Sequence, residues 1–178
     1  TNTFEQSVAE SAARYDLIVM GTNGADNSYQ YMFGSHSFQV MHDSKCPVVL
    51  VPEGYDYKPI GEIIYAYSPK TNPLFVTEQL RKLAASLGAK VKVLHILEEK
   101  PTSETIRKME ILEEAIKARE PRNVSWSFDF QYAEDVALAL DHYVNTDKDG
   151  NLLALSFHHR SLMEKLFREN TIKKIAMI

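Results

Sequence analysis

The feature that most constrains this chain is a series of apolar runs too short for helices, set between stretches with a helical period. Asp16-Leu-Ile-Val-Met-Gly21 is a continuous apolar run stopped by glycine, and Pro47-Val-Val-Leu-Val-Pro52 is one bracketed by prolines. Runs of this kind suit strands buried on both faces of a parallel sheet, and strands tolerate proline best at their ends. Glu62 to Tyr67, Lys90 to Leu97 and Asn151 to Phe157 read as further strands. Phe4 to Tyr15 places Phe4, Val8, Ala12 and Tyr15 at helical spacing, and Ser35 to Ser44 turns Phe38 and Met41 inward. Pro73 to Leu87, closed by Gly88, is an amphipathic helix, as is Thr102 to Arg119, which carries Ile106, Met109, Leu112 and Ile116 on one face behind Thr102 and Ser103 as caps. Glu134 to Val144 and Leu162 to Ile178 complete the predicted helices. Val124 to Tyr132 alternates Val-Ser-Trp-Ser-Phe-Asp-Phe, which predicts a strand with one wetter face at a sheet edge. Strands joined by helices of this length imply an α/β fold, an open parallel sheet with helices on both faces.

An internal repeat organises these elements. Asp16-Leu-Ile-Val-Met-Gly and Asn151-Leu-Leu-Ala-Leu-Ser match in pattern at an offset of 135, which carries on without gaps to set Val40 on Ile175. A period of that length is one ordinary domain, so the expectation is two copies of one domain. Glu53 to Lys58 is the linker, with a first unit at 1–54 and a second at 58–178. By the same offset the first copy would start before Thr1, and the strand at Cys46 to Val51 would recur only beyond Ile178. The expected content is therefore the back half of one domain and a second domain without its last strand, a chain truncated at both ends.

Composition narrows the function. Lys+Arg 20 against Asp+Glu 24 gives a net charge of −4 with no basic stripe, which argues against nucleic-acid binding. No apolar run approaches the roughly 20 residues of a membrane span, and the first residues lack the charged start and apolar stretch of a signal peptide. A single cysteine, Cys46, excludes an internal disulfide and suits a reducing, cytoplasmic setting.

The chemistry-bearing motif is Gly21-Thr-Asn23-Gly24, where a strand ends, followed after nine residues by Gly34-Ser35-His36, where a helix begins. Open α/β sheets bind ligands outside the carboxyl ends of their strands. A helix start offers unpaired N–H groups and partial positive charge, and glycine admits a phosphate close to the backbone. Taken alone, the glycines also fit a tight turn and a helix cap. The spacing Gly-x-x-Gly-(nine)-Gly-Ser, followed by Cys46-Pro-Val-Val-Leu-Val-Pro52, resembles the nucleotide-binding signature of the universal stress proteins. The resemblance covers the whole chain, strongly to Gly54 and more loosely beyond.

That resemblance implies a five-stranded parallel sheet in the order 3-2-1-4-5, dimerisation through the last strand, and a cytoplasmic stress-response role as a nucleotide-gated signalling protein. It implies ATP as ligand, with Gly21, Asn23, Gly24, Gly34, Ser35 and the backbone of His36 lining the phosphate site, and a homodimer or pseudo-dimer through a sheet edge. The loop Ala25 to Phe33 departs from the family in holding Asp26 and no Lys or Arg, so phosphate charge falls to the helix dipole, backbone N–H groups and a Mg ion. In the second copy Ser156, His159, Glu169 and Asn170 replace Gly21, Gly24, Gly34 and Ser35, and Ala66 stands where the family has its ligand-contacting Asp. The second domain is therefore expected not to bind ATP.

Other residues read as structural. His158 and His159 point to opposite sides of an extended segment and make a poor metal pair; His95 and Cys46 read as packing residues. Trp126, Phe128 and Phe130 read as half-buried core, with an aromatic contact surface as the sharper reading. No Walker-type motif and no placed acid/base pair point to an enzyme. The competing function is a non-catalytic, dimerising interaction module that binds no nucleotide.

Overall fold

The computed structural model describes residues 4–12, 14–22, 35–52, 55–67, 73–119, 123–146, 150–156 and 175–177. In chain order these form α1 (Phe4–Ala12), β1 (Ile18–Thr22), α2 (Ser35–Asp43), β2 (Val48–Pro52), β3 (Ile60–Ala66), α3 (Pro73–Leu87), β4 (Lys90–Leu97), α4 (Ser103–Lys117), β5 (Trp126–Tyr132), α5 (Val136–Thr146), β6 (Gly150–Leu155) and β7 (Ile175–Met177). The boundaries have local causes. Thr102 caps α4 by accepting a bond from Thr105 N at 3.2 Å. Gly88, at φ 65°, ends α3 and lets Ala89 N reach back to Ala84 O at 3.0 Å.

Among the described residues all strands join one seven-stranded sheet in the order β1-β2-β7-β6-β3-β4-β5. Every neighbouring pair is parallel except β2 with β7, where Val48, Val49 and Leu50 face Met177, Ala176 and Ile175 in antiparallel register. Counted within 58–178, the run β5-β4-β3-β6-β7 follows 3-2-1-4-5, but the sheet as a whole is longer and mixed rather than five-stranded and all parallel.

Alternation along the strands builds two cores. Ile64, Leu94, Leu153 and Leu155 turn to the side of α2 and α5, where they meet Val40, Met41 and Leu140. Ile63, Tyr65, Val91, Val93 and Ala154 turn to α3 and α4, against Val76, Leu80, Leu112 and Ile116. β6 is buried throughout because it has a strand on each side and a core on each face.

Two expectations are corrected. Ile175–Met177 form a strand, not the end of a helix, so the ungapped offset that set Ile175 on the helical Val40 fails there. An Ile-Ala-Met segment lying between β6 and β2 satisfies backbone groups on both sides, which outweighs any local helical tendency. The rest of the predicted helix 162–178 lies outside the described residues. The second correction concerns β1, which is an edge strand with Val19 62% exposed, not a strand buried on both faces. Its apolar run is covered on the α1/α2 side, by which Ile18 and Met20 pack, but not on the other. β5 is the opposite edge, as its alternating sequence implies.

A Cβ added at Gly150 would lie 2.4 Å from Pro59 O and 3.1 Å from Lys58 O, both backbone atoms at the start of the β3·β6 ladder. Gly150→Ala is expected to cost about 1–3 kcal/mol, whereas Gly61→Ala, whose added Cβ would meet nothing within 4 Å, is expected to unfold in denaturant close to the parent.

Candidate functional site

In a unit of two parallel strands and a joining helix, the helix runs back against the strands, so its amino end lies at the level of the first strand's carboxyl end. β1, α2 and β2 form such a unit: Ile18 to Thr22 pair in register with Val48 to Pro52, and Ile18 N donates to Pro47 O at 2.9 Å. α2 is held to the sheet by Val40 and Met41, both buried with Val48 and Leu50. Gly21 is thereby placed near the carboxyl end of β1, and Ser35 and His36 open α2 at the same end of the sheet. The first turn of α2 holds no carboxylate, so nothing acidic there offsets the positive end of its dipole.

Gly21 has no positive φ, and a Cβ built on it would meet nothing within 4 Å. Neither backbone strain nor crowding among the described residues asks for glycine here. Asn23, Gly24 and Gly34 lie outside the described residues. On the other flank of β1 no strand lies among the described residues, so the crevice at its carboxyl end is walled there on one side only.

The corresponding place in 58–178 is built differently. Ala66 of β3 lies beside Leu155 of β6, and Tyr67 and Ser156 follow them. Tyr67 is tied by its backbone, its N–H donating to Leu94 O at 2.8 Å and its carbonyl lying 3.0 Å from His95 Nδ1. The Tyr67 ring meets His95 edge-on at 5.4 Å and Tyr65 at 6.3 Å. Burial raises the Tyr67 hydroxyl above its ordinary value. Ser156 is 4% exposed, and its hydroxyl has no hydrogen-bond partner among the described residues. This mouth therefore carries an aromatic ring and a buried side chain where β1 carries open glycine. His158, His159, Glu169 and Asn170 lie outside the described residues.

His95 is buried and bonded, as its place in an apolar strand implies. Cys46 sits in a turn where Ser44 Oγ donates to Cys46 O at 2.8 Å. Among the described residues no group of three His, Cys, Asp or Glu side chains converges as a metal site, and no helix is long and apolar enough to cross a membrane.

Sequence reasoning missed one polar cluster on the α5 side of the sheet. Lys92 Nζ lies 3.1 Å from Glu62 Oε2 and 5.3 Å from the centre of the Tyr143 ring, and the Tyr143 hydroxyl donates to Asp129 Oδ2 at 3.0 Å. Its only signal was a polar residue at alternate places in three neighbouring strands. The cluster lies away from the β1–α2 site and ties β3, β4, β5 and α5 together.

A family comparison bears on the β1–α2 unit directly: residues 5–52 match the model of the universal stress protein family. The whole chain also has a universal stress protein fold. Over 97% of its length it superimposes on a universal stress protein from Archaeoglobus fulgidus DSM 4304 with a TM-score of 0.70 at 17% identity, spanning 64% of that protein. It also matches a member of the universal stress protein family from Burkholderia pseudomallei with a TM-score of 0.52 at 18% identity, over 69% of this chain and 98% of the other. No curated protein matches the chain. The matched segment, 5–52, contains β1, the motif residues, α2 and β2, so the family match and the motif coincide.

The cluster at Tyr143 gives a pH prediction. Burial, and then the bond to Asp129, raise the Tyr143 hydroxyl above the usual tyrosine value, and burial does the same for Tyr67. Both hold their protons more tightly folded than unfolded. Their contribution is therefore whole below about pH 10 and is lost as pH rises through the raised folded values. Melting temperature is expected to fall over that alkaline range, and Tyr143→Phe is expected to remove part of the fall.

Proposed function

We propose that this chain is part of a stress-response protein whose β1–α2 unit binds the phosphates of ATP or a related nucleotide, and whose 58–178 unit binds none. The observation that carries the reading is the pairing of an open Gly21 at the end of β1 with a helix start free of carboxylates at the same end of the sheet. Backbone N–H groups at Gly21, Asn23, Gly24, Gly34 and His36, with the Ser35 hydroxyl, supply donors of the kind a phosphate takes. A Mg ion bound with the nucleotide would meet charge that no Lys or Arg in the loop meets. The protein acts in the cytoplasm as a nucleotide-responsive binder, not a catalyst.

The antiparallel β2·β7 ladder favours a second reading, in which the two units form a pseudo-dimer through their last strands and the chain is an interaction module. The two readings part on ligand binding. In calorimetric titration the full-length protein is expected to bind ATP. Gly34→Glu, which puts a carboxylate just ahead of α2, is expected to weaken binding at least about tenfold by setting that charge against phosphate. Equal binding by parent and variant would remove the phosphate-loop assignment and leave the interaction module.

A further inference from the structure

The edge strand β5 carries features that the nucleotide reading leaves unused. Two hydrogen bonds bracket its ladder with β4, Val91 N to Ser125 O at 2.9 Å and Ala133 N to Leu97 O at 3.0 Å. In a parallel pair each residue turns both its N–H and its C=O to one side, and successive residues alternate. Odd-numbered residues of β5 therefore face β4, and Trp126, Phe128, Phe130 and Tyr132 turn their backbone groups outward. No strand lies beyond β5 among the described residues.

The same four residues are the aromatic ones, and they share the sheet face packed by α4. α4 covers the start of the strand, where Trp126 and Phe128 join the core with Leu112 and Ile116. Phe130 and Tyr132 remain 49% and 50% exposed. Edge strands are ordinarily guarded by outward lysines, prolines or bulges. β5 has none of these, and its ladder with β4 is unbroken.

Charge divides along the edge. Exposed Glu98, Glu99 and Glu134 follow the paired ends Leu97 and Tyr132, with Lys100 behind them. At the other end stand exposed Lys90 and Arg119, with Lys117, which is ion-paired with Glu113, lying 5.8 Å from the centre of the Phe128 ring. Seven residues of strand separate the two ends by roughly 20 Å, beyond a Debye length of about 8 Å at physiological salt. An edge that is acidic at one end and basic at the other complements an antiparallel copy of itself.

We propose that β5 pairs antiparallel with β5 of a second copy of this chain, about a two-fold axis at Phe130. This register sets Phe130 against its counterpart, Phe128 against Tyr132, and Glu134 beside the strand start where Lys90 lies. It also places Asp129 opposite Gln131, whereas an axis at Asp129 would oppose two carboxylates. The two sheets become one continuous sheet, and the contact is isologous and closed, so it stops at a dimer. This interface is separate from the β2·β7 junction.

Sedimentation velocity on the full-length protein across a concentration series tests it. The expected result is a reversible monomer–dimer equilibrium that weakens several-fold as salt rises from low to physiological concentration. Phe130→Lys is expected to weaken dimerisation at least about tenfold. Phe130→Pro should do the same, because it removes an outward N–H that β4 does not use and so spares the intrachain ladder. Emission from Trp126, the single tryptophan, and circular dichroism check that each variant is folded. A protein monomeric at every concentration overturns the proposal. So does a dimer that ignores salt or both Phe130 substitutions, and so does one broken instead by Val19→Lys at the opposite edge.

Discussion

Three residues hold the two ends of this sheet together. Ile175–Met177 accept β6 on one side in parallel register and β2 on the other in antiparallel register, so among the described residues the β1–β2 pair meets the rest of the sheet through that ladder alone. A ladder so short would be marginal alone. It is supported because the α2/α5 core runs beneath it without a break: Val40, Met41, Val48 and Leu50 from one side of the junction are buried in the same cluster as Leu153 and Leu155 from the other. Full burial of side chains of this size contributes about 1.5–3 kcal/mol each, and together these six outweigh a few strand hydrogen bonds worth about 0.5–1.5 kcal/mol each. Hydrogen bonding sets the register, and apolar contact supplies the strength.

The opposite face shows what happens where that support stops. Val19 and Ala154 are equivalent in the internal repeat, yet Val19 is 62% exposed and Ala154 is fully buried. Ala154 has β3 and β7 beside it and the α3/α4 cluster over it. Among the described residues Val19 has β2 alone as a neighbour in the sheet. The same residue pattern therefore meets different environments, because burial belongs to the neighbours and not to the residue.

This explains which parts of the structure were legible in the sequence. Short apolar runs located β1, β2, β3, β4 and β6; glycine at positive φ located the end of α3; threonine capping located the start of α4; and alternation located β5 at an edge. These signals are local, and the structure keeps them. The strand at Ile175–Met177 was missed because its conformation is set by partners distant in sequence, and the repeat carried a helix across it. The exposure of Val19 was missed for the same reason. At the candidate site, the placement of Gly21 and Ser35 followed from reading a strand, a loop and a helix in order. The cluster of Glu62, Lys92, Asp129 and Tyr143 did not, since four elements bring those residues together and no spacing encodes it.

The position of β7 also bears on how the protein can be made. β2 contains Val48-Val-Leu-Val-Pro52, and its partner on the side away from β1 lies at Ile175–Met177. During synthesis from the amino end, that apolar strand leaves the ribosome long before the segment that shields it. Until then the nascent chain carries an unshielded template for β pairing, the condition under which newly made chains aggregate. Because β7 closes β2, the β1–β2 pair can join the rest of the sheet through that ladder only after Ile175–Met177 have been made.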